Sequence, residues 1–151
     1  VINIDRSHVI PKNSPIVIEM KNGKYKIIKA PKNIIDIVKK EKKEAWQKIM
    51  SLEKSRSLPK EIIDIYKRNF DRVGEFAVNT NPNAKLCDYL IVNEKIARMI
   101  HIALGSGFEP DTATEYHTDI VINAPRQKLD IYGIDKDGKE HWIIKNGEFV
   151  V

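Results

Sequence analysis

The sequence contains one cysteine and no apolar run of eighteen or more residues. A single cysteine, Cys87, cannot form an internal disulfide, which argues against a disulfide-stabilised secreted domain. We expect this residue to be buried or half-buried. The lack of a long apolar run argues against a membrane-spanning helix, and the first residues lack the basic and apolar regions of a signal peptide. These absences favour a cytoplasmic protein with no membrane partner.

Signature motifs of several enzyme classes are also missing. The sequence has no GxGxxG, Walker loop, GxSxG or CxxC pattern, so it gives no support to nucleotide-binding, serine-hydrolase or dithiol chemistry. Asp135 to Gly138 matches part of a calcium-binding loop, but no closing glutamate follows in register. His8 and His141 have no partners at ligand spacing, and we expect them to be structural or surface residues.

The composition is that of an ordinary globular domain with a basic segment. The chain has 151 residues, of which 42% are hydrophobic and 31% charged, so residues 1–151 fit a single domain. The net charge of +5 arises mainly between Lys32 and Lys67, where Glu41 and Glu44 interrupt the lysines. Few aromatic residues accompany them, so this segment is predicted to be a solvated helical face and no nucleic-acid partner is expected. Many Lys, Glu and Ile residues also suit a thermophile.

The pattern of apolar residues divides the chain into three stretches. Residues 1 to about 30 are predicted to form strands, with Asn22-Gly23 as the type I′ turn of a hairpin. Residues 33–70 have apolar residues at helical spacing and are predicted to form two helices, the second beginning near Pro59. From residue 73 onward short β-like runs predominate, at 75–79, 99–104, 117–123, 128–133, 141–145 and 148–151, with a short helix over 93–98 and an Asn146-Gly147 turn. The predicted fold class is α+β: a mixed or antiparallel β-sheet with β-hairpins and two inserted helices.

Three short segments carry residues that bind metals in proteins. His117 and Asp119 lie two residues apart in a predicted strand, so both side chains project to one face and could chelate a divalent ion; an exposed polar strand start is the alternative. His101 lies in an apolar run, where a lone histidine is more often a hydrogen-bonded core residue than a ligand. Glu75 follows Gly74 at the start of a strand and could be solvated, paired with Arg72, or bound to metal.

Four segments, taken in order, resemble a known enzyme family. They are Gly74–Ala84 (GEFAVNTNPNA), Asn93–Lys95, His101–Gly105 and Tyr116–Val121. This order resembles the C-terminal, metal-binding part of the aminopeptidase T (leucyl aminopeptidase) type of thermophilic metallopeptidase. The resemblance implies a hydrolase that removes N-terminal amino acids from peptides, using one or two divalent ions (Zn, Co, Mn or Fe) per chain. The ligands that it implies are Glu75, His101, His117 and Asp119.

The resemblance also implies that the complete family site is larger than this chain. The family has a further metal-binding glutamate and an N-terminal domain, both of which precede the first hairpin. We therefore expect either a homo-oligomer or a partner that supplies the missing N-terminal half, besides a peptide or small-molecule substrate. Tyr116 is the only tyrosine between His101 and His117, and it should face away from His117. No catalytic residue is assigned.

Two other functions remain open from the sequence. The dihydroxypyridine dioxygenases resemble the superfamily of the aminopeptidase T-type enzymes. His101, His117 and Asp119 alone could hold the single iron of such a ring-cleaving enzyme. The other alternative is a non-catalytic metal-binding or assembly module. The number and identity of the bound metal ions, together with the substrate, would separate these functions.

Overall fold

The computed structural model describes residues 2–4, 8–10 and 15–150. Side chains are described from Pro15 to Val150, so the expectation for the His8 side chain lies outside this part. The helices are α1 (Lys32–Ser55), α2 (Lys60–Asn69), α3 (Leu90–Asn93) and α4 (Ala124–Gln127), with a 3-10 turn at Pro110–Thr112. The strands are β1 (Ile2–Ile4), β2 (His8–Ile10), β3 (Val17–Lys21), β4 (Lys24–Lys29), β5 (Val73–Val78), β6 (Met99–Gly105), β7 (His117–Asn123), β8 (Ile131–Ile134), β9 (Glu140–Lys145) and β10 (Glu148–Phe149).

Antiparallel pairing links the strands into three sheets. The main sheet has the order β2-β1-β7-β6-β5, the C-terminal sheet has the order β10-β9-β8, and β3 pairs with β4. The predicted α+β class, with antiparallel hairpins and two inserted helices, is confirmed. Asn22-Gly23 and Asn146-Gly147 form the predicted turns, and all four residues have the positive φ that a type I′ turn requires.

Helices α1 and α2 cover one face of the main sheet. Proline precedes each helix, at positions 31 and 59, and Arg56 ends α1 in the left-handed conformation. The apolar positions of the helices follow the helical period and meet alternate residues of β6 and β7. The shared core contains Ile34, Val38, Ile49, Ile63, Phe70, Ile102, Leu104, Tyr116 and Ile120. No helix in the described part of the chain is long and apolar enough to cross a membrane.

The opposite face of the main sheet receives the other alternate residues of the same strands. Thr118 is 1% exposed and donates a hydrogen bond to Glu41 of α1, so its neighbours His117 and Asp119 project away from the helices. A register shift between Val73 and Glu75 marks a bulge at the start of β5. After this bulge Glu75 pairs with Ala103, which pairs in turn with Asp119. Residues directly opposite one another share a face, so both carboxylates lie on the face of the sheet that points away from the helices.

Three local predictions were wrong. The helix expected over 93–98 is α3, at Leu90–Asn93, because the amides of Ala97 and Arg98 bond to carbonyls of the 79–81 segment. The strand expected from residue 128 begins at Ile131, since α4 ends with Lys128 at φ 52°. Cys87 is exposed and lies in a loop outside the sheets. Its backbone N–H and carbonyl both form hydrogen bonds with the side-chain amide of Asn93.

Candidate metal centre

Four side chains that could bind metal lie on one face of β5, β6 and β7, as two separate pairs. Glu75 and Asp119 lie on either side of Ala103, two strands apart, which places their backbones about 10 Å from each other. On the same face, His101 lies opposite Val121 and His117 lies opposite Gly105. The two histidines are therefore at opposite ends of the group. His101 Nε2 is 3.8 Å from Glu75 Oε2, and His117 Nε2 is 3.1 Å from Asp119 Oδ2.

Ala103 leaves room between the two carboxylates. It is fully buried, and its methyl group is the smallest side chain that an L-residue can place at the centre of this group. A larger residue there would extend into the space between Glu75 and Asp119, because all three point to the same face. The sequence analysis did not identify Ala103; its pairing with both carboxylates is visible only once the strand register is known.

Each histidine is held by a hydrogen bond at the ring nitrogen that faces away from the carboxylates. His117 Nδ1 lies 2.8 Å from the carbonyl oxygen of Ser106. A carbonyl can only accept, so Nδ1 carries a proton. His101 Nδ1 lies 3.0 Å from Asn79 Oδ1, and both residues are at least 93% buried. Metal-binding histidines characteristically make such bonds, which fix the tautomer and leave Nε2 available.

One carboxylate oxygen in this group lacks a partner. Asp119 Oδ1 is buried and makes no hydrogen bond among the described residues, and the same is true of Asn79 Nδ2. An unsatisfied buried carboxylate oxygen is unfavourable, and a divalent cation would satisfy it. The donor set of two imidazoles and two carboxylates also suits Zn, Co, Mn or Fe. The donor types and the unpartnered Asp119 oxygen therefore match the ions that the resemblance implies.

The electrostatics of the group favour positive charge at His117. The pKa of His117 is raised from 6.5 to about 9, chiefly by its hydrogen bond to Asp119. Burial opposes this shift, while the charge of Asp119, the Ser106 carbonyl and the charge of Glu75 reinforce it. In the absence of a metal ion, His117 is therefore an imidazolium at neutral pH. A bound cation would take the place of that proton.

The four side chains form two pairs and not a closed cage. Within the described residues, no group of three or more His, Cys, Asp or Glu is already arranged to hold a metal ion. Arg72, the alternative partner that the sequence offered for Glu75, forms no ion pair with it. Tyr116 faces away from His117 as expected: its ring is 2% exposed, lies in the core and is 6.0 Å from Phe70.

Another His–Asp pair lies on the C-terminal sheet. His141 Nε2 is 2.8 Å from Asp135 Oδ2, with both side chains at least 36% exposed. His141 was expected to be a structural or surface residue, and it lies on the surface. This pair has the same chemistry as His117 and Asp119 but lacks the additional histidine and glutamate, so it serves as an internal control for experiments.

A cleft of about 330 Å³ borders His117 on the side of α1. Its lining includes Glu41, Glu44 and Glu115, with Lys48 bound to Glu115 at 2.6 Å. Lys48 and the His117 imidazolium oppose these three glutamates, so the cleft has a small excess of negative charge. Carboxylates around an open space attract protonated amines, so the cleft could hold a positively charged end of a small molecule or peptide.

Asn79 is a second residue at this site that the sequence did not reveal. In the segment from Asn79 to Ala84, Asn81 Oδ1 accepts a hydrogen bond from the backbone of Asn83. Asn79 itself contacts His101 directly. The available signal was its spacing: it lies four residues after Glu75 and so shares its face in an extended chain.

Comparison with known proteins found no matching family model, no similar curated protein and no similar solved structure.

Proposed function

We propose that this chain is the metal-binding domain of a divalent-metal-dependent hydrolase of the aminopeptidase type. Glu75, His101, His117 and Asp119 are the proposed ligands, for one or two ions of Zn, Co, Mn or Fe. The observation that carries the proposal is the gathering of these four side chains on one face of three adjacent strands. The resemblance of the segments around them to aminopeptidase T-type enzymes supports the same reaction class.

The proposed chemistry divides between the ion and the residues of the chain. A divalent ion in this position supplies Lewis-acid polarisation of a peptide carbonyl and lowers the pKa of water toward neutrality. Asn79 and the Ser106 carbonyl hold the two imidazoles so that Nε2 of each faces a carboxylate. Glu75 and Asp119 supply negative charge that balances the cation. Fixed ligands of this kind lower the reorganisation that accompanies binding.

The acidic cleft beside His117 supports a substrate with a free amino terminus. Glu41 and Glu44 lie on α1 at the cleft, and Glu115 precedes β7. A protonated amine would be favoured there, whereas a free carboxylate would be repelled. A cytoplasmic location, supported by the single cysteine, is part of the proposal, as is assembly into a homo-oligomer or with a partner that completes the site.

Hydrolysis by metal-loaded protein tests this proposal. Protein stripped of metal would be reconstituted separately with Zn, Co, Mn and Fe(II) and assayed on amino-acid amides and short peptides. We expect release of the N-terminal residue with at least one metal, and loss of that activity in a His117→Ala/Asp119→Ala variant. The matched control is His141→Ala/Asp135→Ala, which removes the other His–Asp pair and should keep full activity.

Three outcomes would contradict the proposal. Stoichiometric metal without hydrolysis under any metal supply would exclude the peptidase reaction. One bound Fe(II), with oxygen uptake on a dihydroxypyridine, would assign the dioxygenase reaction instead. Equal activity in the wild type and the His117→Ala/Asp119→Ala variant would show that the hydrolysis belongs to a contaminating enzyme.

A further inference from the structure

A second cleft lies at the end of the main sheet where β5 begins and β6 ends. Its volume is about 320 Å³, which is sufficient for a small molecule. The residues that line it include Gly23, Arg68, Arg72, Gly74, Asp111 and Thr112. None of the four proposed metal ligands lines this cleft, so its chemistry can be considered independently of the metal centre.

The hydrogen-bonding groups along one wall are already occupied. Arg68 Nη2 donates to the carbonyl oxygen of Asp111 at 2.7 Å. The side-chain nitrogen Nδ2 of Asn69 donates to the backbone carbonyls of Asp111 and Ala113. Thr112 Oγ1 donates to the carbonyl of Glu109. These contacts hold the wall in place and use part of the Arg68 guanidinium.

Arg72 differs from the other polar residues of the cleft. Among the described residues, its guanidinium takes part in no hydrogen bond or ion pair, and its Nε is buried without an acceptor. Nη1 lies beneath the hairpin turn, where a Cβ added to Gly23 would be 3.3 Å from it. A buried, charged donor is stable only with an acceptor. Only Nε is buried, so solvent can reach the rest of the guanidinium; an oxyanion in the cleft would supply the acceptor that the described chain does not.

The charge and shape of the cleft indicate the kind of ligand. The charged residues that line the cleft are two arginines and one carboxylate, that of Asp111, so the lining has an excess of positive charge. A guanidinium is a planar fork of N–H donors and matches the two oxygens of a carboxylate or phosphate. We propose that this cleft binds a small oxyanion, the carboxylate or phosphate of a small molecule, with Arg72 as its principal donor.

Titration of the full-length chain with simple anions tests this site. Inorganic phosphate and acetate would each be added at constant ionic strength while amide signals are followed by NMR. We expect saturable shifts at Gly23, Gly74 and Thr112 with at least one of the two anions. Shifts with phosphate alone would assign a phosphate ligand, shifts with acetate alone a carboxylate, and shifts with both a general oxyanion site. The wild-type titration needs no variant, so it holds even if a substitution affects folding.

Substitutions establish the role of Arg72. Arg72→Gln should weaken binding by at least about tenfold, and Arg72→Lys should recover only part of it because the fork is lost. Arg126→Gln removes one positive charge from an exposed residue elsewhere and should have no effect. The His117→Ala/Asp119→Ala variant should bind the anion normally, which separates this site from anion binding to a metal ion. No saturable shift with either anion, or equal losses in Arg72→Gln and Arg126→Gln, would overturn the proposal.

Discussion

Asn79 provides the sharpest test of how the metal centre is organised. Its Oδ1 accepts the Nδ1 proton of His101 at 3.0 Å, and the two residues are 5% and 7% exposed. Asn79→Leu keeps a similar volume but removes the acceptor, so His101 can no longer be held in the tautomer that leaves Nε2 free. Losing such a partner costs about 1–3 kcal/mol at a buried site, and outer partners of ligating histidines typically contribute about 10–100-fold to metal affinity. We therefore expect Asn79→Leu to weaken metal binding by about that factor.

The stability of the metal-free protein should change much less than its metal affinity. Asn79 Nδ2 is itself buried without a partner, so Asn79→Leu removes one unfavourable group while creating another at His101. Asn79→Asp keeps an acceptor oxygen next to His101 and should bind metal within a few-fold of the wild type. Asn83→Leu changes an exposed residue of the same loop and is the control.

Competition with a chromophoric chelator measures these affinities, and ¹⁵N NMR reports the tautomer of His101. Asn79→Leu should show a changed ratio of the His101 ring tautomers, and Asn79→Asp should not. The reasoning would be refuted if Asn79→Leu bound metal as tightly as the wild type. Equal losses in Asn79→Asp and Asn79→Leu would also refute it, because only one of them lacks the acceptor.

Three further predictions concern charge and packing. The pKa of His117 is raised from 6.5 to about 9, so its pairing with Asp119 stabilises the metal-free fold fully below pH 6.5 and is lost as the pH rises through about 9. Because the ring is 43% exposed, we expect a loss of roughly 1 kcal/mol, measured by urea unfolding across this range and absent in Asp119→Asn. Gly105→Ala should prevent stable folding, since its Cβ would lie 2.1 Å from the Tyr116 carbonyl at φ 96°; circular dichroism would detect this. Ile49→Ala should lower the free energy of unfolding by about 2–5 kcal/mol, because Ile49 is fully buried, as measured by chemical denaturation.

The elements with strong local signals could be predicted from the sequence. Asn22-Gly23 and Asn146-Gly147 both adopt the positive φ that asparagine and glycine tolerate. The two long helices follow from apolar periodicity and a proline before each start. Local propensity failed at Ala97 and Arg98, whose amides bond to the 79–81 segment. That pairing depends on a long-range contact, which a local pattern cannot reveal.

The four candidate ligands could be named from the sequence, but their arrangement could not. The two-residue spacing of His117 and Asp119 was enough to place both on one face. Strand register decides that Glu75 and Asp119 flank Ala103, and register depends on the bulge after Val73 and on side-chain packing along the whole strand.

Metal content tests the central claim most directly. The wild type would be purified without chelator and its metal-to-protein ratio measured by inductively coupled plasma mass spectrometry, beside the His117→Ala/Asp119→Ala and His141→Ala/Asp135→Ala variants. We predict one or two equivalents of Zn, Co, Mn or Fe in the wild type and in the His141→Ala/Asp135→Ala control, and none in the other variant. No bound metal in any of the three, even after reconstitution, would contradict the account.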